Sequence, residues 1–213
     1  MTGLRERKKQ QTRQHIAETA RRLFAERGFE HVTIAEIAEA ADVAVQTVFN
    51  YFPTKEDLVY WRLSSFEGEL LDAVRDRPAG KSALEAFKDF LMAQQGLLGQ
   101  HDPAAREELT SFTRMIVDSP ALRAREGQIF AGYTEALAEV LAEETGAKPG
   151  DIRPRVAAGA MIGVHRALVD YSRGRIVAGD LGPRLPHDIR AQARQAFALL
   201  EGELGEYGRK PTY

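Results

Sequence analysis

The sequence contains no cysteine. That excludes a disulfide framework, a zinc finger and a thiol nucleophile, and it suits a reducing, cytoplasmic setting. Long apolar runs are also missing. The most apolar stretch, Val156 to Val169, is interrupted by His165 and Arg166 and is too short to cross a bilayer, so no membrane partner is expected. The N-terminus is charged from Arg5 onward and carries no secretory apolar segment. The histidines (His15, His31, His101, His165 and His187) show no metal-ligand spacing. Glycine-rich phosphate loops, nucleophile elbows and a distinctive carboxylate pair are absent. No metal, cofactor or catalytic residue is therefore expected. Alternation of period two is too short anywhere to indicate a sheet.

What is present is an ordinary globular composition. The chain has 213 residues, 44% of them hydrophobic and 28% charged, enough to bury a core without staples. The net charge of −2 argues weakly against a nucleic-acid binder. Its distribution argues the other way. The first 22 residues hold seven Lys/Arg against two Glu, a basic arm of +5 on an otherwise acidic chain.

Helical punctuation runs the length of the chain and predicts an all-α fold of about nine helices. Helix 1 is expected from about Gln10 to Arg27, with Ile16, Ala20, Leu23 and Phe24 on one face and Gly28 terminating it in the left-handed conformation. Thr33 and Glu36 form a capping box, flanked by Val32 and Ile37 as a hydrophobic staple. Helix 2 follows, to about Ala40. Helix 3 spans about Ala44 to Phe52 and is stopped by Pro53. A single helix 4 is expected from Thr54 to roughly Arg77. Ser82 with Glu85, Asp102-Pro103, Ser119-Pro120, Lys148-Pro149 and Leu185-Pro186 mark later starts. The one long irregular stretch is expected at about Gly174 to Leu185.

Helix 2, the turn at Ala41-Asp42-Val43 and helix 3 read as a helix-turn-helix. Val43, Val48 and Phe52 suit its inner face, and Gln46, Thr47, Asn50 and Tyr51 its outer face. Asn and Gln can bond adenine through N6 and N7, while Val45 and the Thr47 methyl suit a thymine methyl. Lys55 and Thr33 are placed for phosphates, which fix register without carrying sequence information.

Ala20, Leu23, Phe24, Gly28 and Phe29, then Thr33, Ile37 and Ala38, then Val43, Thr47, Val48, Phe49, Tyr51, Phe52, Lys55 and Leu58 stand in one sustained register. This segment resembles the N-terminal domain of TetR-family regulators. The resemblance implies a DNA-binding domain over residues 1–55 and a ligand-binding and dimerisation domain over 56–213. It implies DNA contacts at Thr33, Val45, Gln46, Thr47, Phe49, Asn50, Tyr51 and Lys55; Arg5, Lys8 and Lys9 of the arm join them on charge. Asp42 stands where the family often has glycine, Ala44 where it often has serine, and Phe49 where tyrosine is frequent.

Beyond the head, the aromatic residues suit either a core or, as the resemblance implies, an effector cavity. The expected lining is Phe66, Phe87, Leu91, Phe112, Met115, Tyr133 and His165, and the expected effector is small and hydrophobic or aromatic. Small residues from Val156 to Gly163 and the last helix suggest a dimer interface at Ala158, Ile162 and Phe197. The expected function is a homodimeric transcription regulator on a near-palindromic double-stranded operator, a repressor released by its effector. A helical ligand-binding or interaction module with a degenerate head is the alternative, and a small helical enzyme a third reading that turnover would have to revive.

Overall fold

The structure is a computed structural model that describes residues 3–93 and 102–212. His101 lies outside the described residues, as does the side chain of Arg5. Ten helices and no strand occur among the described residues: α1 (Leu4–Arg27), α2 (Ile34–Ala40), α3 (Val45–Tyr51), α4 (Lys55–Val59), α5 (Leu63–Arg75), α6 (Ala83–Ala93), α7 (Pro103–Asp118), α8 (Pro120–Thr145), α9 (Arg153–Val177) and α10 (Leu185–Leu204). The all-α expectation holds, with three corrections. The basic arm is helical from Leu4, since nothing in residues 4–9 breaks the helix. α9 runs through Gly174 and ends at Val177, with Gly179, at φ 79°, just past its C-cap Ala178. The expected single helix 4 is two helices, interrupted at 60–62.

The chain divides into two compact units. The first comprises Met1–Ser64 and Ser111–Glu126, and is larger than the 1–55 segment that the motif delimits. The second comprises Ser65–Thr110 and Gly127–Tyr213.

In the first unit, Ile16, Ala17, Ala20, Phe24, Phe29, Val32, Ile37, Val48, Phe52 and Leu58 form the buried interior. α1 packs on α2 and α4, and α2 on α3. The capping box is complete: Thr33 N donates to Glu36 Oε2 at 2.8 Å, and Glu36 N donates to Thr33 Oγ1 at 3.3 Å. Arg27 Nη2 adds an ion pair to Glu36 at 2.6 Å. The Thr33 amide, then the Arg27 guanidinium, hold the Glu36 carboxyl at about 2, below its ordinary 4.5. A carboxylate lowered on folding stabilises above its unfolded pKa, and that contribution fades as pH falls from about 4.5 to about 2. Glu36→Gln is therefore expected to melt below the natural protein at pH 6, with the gap closing by pH 2 in thermal melts followed by circular dichroism. A gap independent of pH would contradict this.

Two chain reversals in the head depend on unusual backbone. Gly28 has φ 81° and ψ 152°, so it is not left-handed helical as expected but extended with positive φ, a region essentially reserved for glycine. Asp42 is the one non-glycine residue with positive φ, 51°, among the described residues. Its amide donates to Glu39 O at 3.1 Å, and that of Val43 to Ala38 O at 3.0 Å, the Schellman closure of α2.

Bonds from Tyr60, Arg125 and Ser119 fasten the segment 111–126 to the rest of the first unit. The buried Tyr60 hydroxyl donates to Leu122 O at 3.0 Å. Arg125 Nε donates to Asp57 Oδ1 at 2.7 Å, while Asp57 Oδ2 accepts from Thr54 N at 3.0 Å to cap α4. Ser119 Oγ donates to Glu30 Oε1 at 2.8 Å.

In the second unit, α10 packs on α9 and α6. Its interior includes Leu70, Val74, Leu84, Phe87, Leu137, Leu141, Ala158, Met161, Ile162 and Phe197. Arg77 is buried there, its side chain 1% exposed, and pairs with Glu144 at 2.6 Å. It also donates to the carbonyls of Val74, Lys81 and Gly208. The C-terminal segment is held by paired backbone bonds, Gly80 N to Lys210 O at 2.9 Å and Lys210 N to Lys81 O at 3.2 Å.

Candidate functional site

α3 is a seven-residue helix with two distinct faces. Val48 and Phe52 are fully buried and seat it against the interior. Gln46 and Asn50 are exposed on the opposite side, and Val45 and Phe49 on one flank. Thr47 and Tyr51, expected to face outward, are half-buried, on the edge of α3 that the first unit covers. Gln46 and Asn50 stand four apart, and Gln46 Nε2 donates to Asn50 Oδ1 at 3.2 Å. The N-cap of α3, Ala44, makes no side-chain cap bond. Lys8 and Lys9 are exposed on the first turns of α1.

The two residues expected at phosphates are engaged inside the head. The hydroxyl and amide of Thr33 both serve the capping box. Lys55 Nζ donates to Phe29 O at 2.8 Å and Val32 O at 3.1 Å and lies 4.2 Å from the Phe29 ring centroid. It thus closes the loop between α1 and α2. Lys55→Met keeps the stem and removes these donors, so it is expected to destabilise the protein by about 1–3 kcal/mol in urea titrations. The salt dependence of DNA binding by the folded variant is expected to stay unchanged. A salt slope lower by about one, with stability intact, would instead make Lys55 a phosphate contact.

Of the expected effector residues, three come together. Phe66 meets Tyr133 at 5.7 Å and His165 at 5.0 Å between ring centroids. Phe90 and Phe130 complete the group: Phe66–Phe90 is 5.2 Å, Phe130–Tyr133 6.1 Å and Phe130–His165 5.3 Å. Spacing gave partial notice, since Phe130 and Tyr133 stand three apart on α8. Burial, and then the charge of Glu67, push the Tyr133 phenol above its ordinary value, so it stays a neutral hydroxyl. Leu91 is half-buried on α6. Phe87 meets Phe197 edge to face at 6.1 Å in the interior instead. Phe112 and Met115 are half-buried in the first unit.

The expected dimer residues Ala158, Ile162 and Phe197 are 0–3% exposed within a single chain. They hold α9 and α10 to their own unit. The large apolar residues that α9 and α10 leave exposed are Val156 and Leu199, with Ile152 at the α9 N-cap. A Cβ at Gly159 or Gly163 would meet open space.

A short helix anchored by one face, presenting amides and apolar groups on the other behind a basic arm, defines a helix-turn-helix DNA-binding regulator. Residues 16–60 match the family model of bacterial regulatory proteins of the tetR family, and residues 85–199 match that of the MftR C-terminal domain. The chain belongs to the TetR family. It is 29% identical over 215 residues to the transcriptional regulator TcmR of Streptomyces glaucescens, covering 98% of this chain and 91% of that one. It is 30% identical over 172 residues to the regulator MftR of Mycobacterium tuberculosis, covering 78% and 81%. The fold is shared with NalD of Pseudomonas aeruginosa (TM-score 0.52, 24% identity, 89% and 96% coverage). It is also shared with FadR of Bacillus subtilis in complex with stearoyl-CoA (TM-score 0.51, 22% identity, 88% and 96%). No helix among the described residues is long and apolar enough to cross a membrane.

Proposed function

We propose that the protein is a homodimeric repressor that reads a near-palindromic operator with α3 and is released by a small apolar or aromatic effector. The observation that carries the DNA part is the exposed strip Val45, Gln46, Phe49 and Asn50 on a helix whose other face is buried. Base reading belongs to that strip, and Lys8 and Lys9, with Arg5, serve the phosphates. Thr47 and Tyr51 border the strip and Thr33 and Lys55 support it. The ring cluster of Phe66, Phe90, Phe130, Tyr133 and His165 supports an aromatic effector, with the neutral Tyr133 hydroxyl supplying polarity. Val156, Leu199 and the open glycines of α9 support a second copy lying against α9 and α10.

The name of MftR links that relative to mycofactocin biosynthesis. A control of biosynthetic genes is the corresponding reading for this chain. The test is footprinting of the purified protein on its own upstream region with random competitor DNA. Two protected half-sites, spaced by about 34–36 Å or a multiple of it, are expected for a dimer. Release is then scored with a panel of planar aromatic compounds and with stearoyl-CoA. A single protected half-site would contradict the dimer, and release by no aromatic compound would contradict the effector class.

A further inference from the structure

Large apolar side chains exposed to water are few among the described residues: Val45, Phe49, Val117, Ile152, Val156 and Leu199. Two of the six stand on the seven-residue α3. Val45 is 42% exposed and Phe49 43%. They are four residues apart, so their side chains lie on one helical face, about 6 Å apart along the axis. The hydrogen-bonded pair Gln46–Asn50 runs beside them at the same spacing. The base-reading surface therefore has two parallel rows, one apolar and one amide.

The amide row carries both donors and acceptors. Gln46 donates to the Asn50 carbonyl, which leaves Gln46 Oε1 as an acceptor and Asn50 Nδ2 as a donor toward the groove. Adenine offers the complement, an N6 donor and an N7 acceptor. The apolar row has no such partner among polar base edges. Pressed against phosphate or a polar edge, Val45 and Phe49 would strip water from it and return no hydrogen bond. The one apolar group that the major groove of unmodified DNA offers is the thymine 5-methyl.

We propose that Val45 and Phe49 form a second reading element, selecting half-sites that place two thymine methyls beside the adenine addressed by Gln46 and Asn50. The proposal rests on α3 being the base-reading helix. Thr47 is not part of the element, because it is half-buried beside Val48.

The test begins with selection of a binding site from random DNA by the full-length protein. Each thymine of the selected half-site is then replaced by uracil, which removes the methyl and leaves every hydrogen-bonding group in place. Removing a buried methyl is expected to weaken binding roughly fourfold at each contacted position, and not at others. Val45→Ala and Phe49→Ala, checked to be folded by circular dichroism, should each erase the uracil effect at one position. Uracil substitution without effect, a selected half-site lacking thymine, or the same uracil penalty in both variants would overturn the proposal. Selection of no specific sequence would overturn the base-reading role of α3 itself, and the methyl element with it.

Discussion

Replacing Asn50 by alanine is expected to weaken binding to the operator by roughly 2–6 kcal/mol, with little change in binding to random DNA. A well-placed amide contact to a base contributes about 1–3 kcal/mol of discrimination, and a dimer on two half-sites loses it twice. The substitution also strands Gln46, whose Nε2 donates to Asn50 Oδ1 at 3.2 Å. Stability should not change, because Asn50 is exposed and borders no buried polar group that it satisfies. Titration of operator and random duplexes at one fixed salt concentration separates the cases. A parallel loss on both duplexes would make Asn50 a backbone contact, and no loss on either would remove it from the interface.

The second large effect concerns folding. Arg77→Met is expected to destabilise the protein by about 3 kcal/mol or more, the range seen when one partner of a buried pair is removed. The guanidinium is 1% exposed and is shared among Glu144 and the carbonyls of Val74, Lys81 and Gly208. Methionine fills much of the volume but supplies no donor. The Glu144 side chain is 22% exposed, so some water reaches it and the loss stays near the lower end. For a chain of this length that is a fall of ~6–12 °C in Tm. Adding Glu144→Gln should recover part of it, because the stranded charge goes while the carbonyls remain without donors. A Tm within about 2 °C of the natural protein would show that the pair carries no net stability.

The head was legible because its signals are local. The Thr33–Glu36 capping box, the stop at Gly28 and the buried positions Val48 and Phe52 all follow from spacings of three and four. The outward set was half right. Spacing alone could not say that Thr47 and Tyr51 turn partly inward, since that depends on where α3 sits against α1 and α2. The break between α4 and α5 left no mark: Tyr60, Trp61 and Arg62 include neither proline nor glycine. Its visible anchor is the bond from Tyr60 to Leu122, 62 residues away. Arg77 similarly meets Gly208 across 131 residues. Such partners have no period to read. Lys55 adds a partner that spacing does not show. Its place in the motif was clear, but its ammonium faces the carbonyls of Phe29 and Val32. The small residues of α9 were visible too, yet Ala158 and Ile162 serve the chain's own interior while Val156 and Gly159 face out.

The bonds of Tyr60, Ser119 and Arg125 that tie residues 111–126 to the head bear on the exchange of DNA-reading parts among relatives. A chimera spliced after Ser64 would carry Glu30, Asp57 and Tyr60 from one parent and residues 119, 122 and 125 from the other. The Tyr60 bond ends on a backbone carbonyl and tolerates any residue at 122 other than one that moves the helix. The other two need Ser119 and Arg125 themselves. A graft of this head therefore has two segments, and a recipient lacking that serine and arginine must be given them along with it.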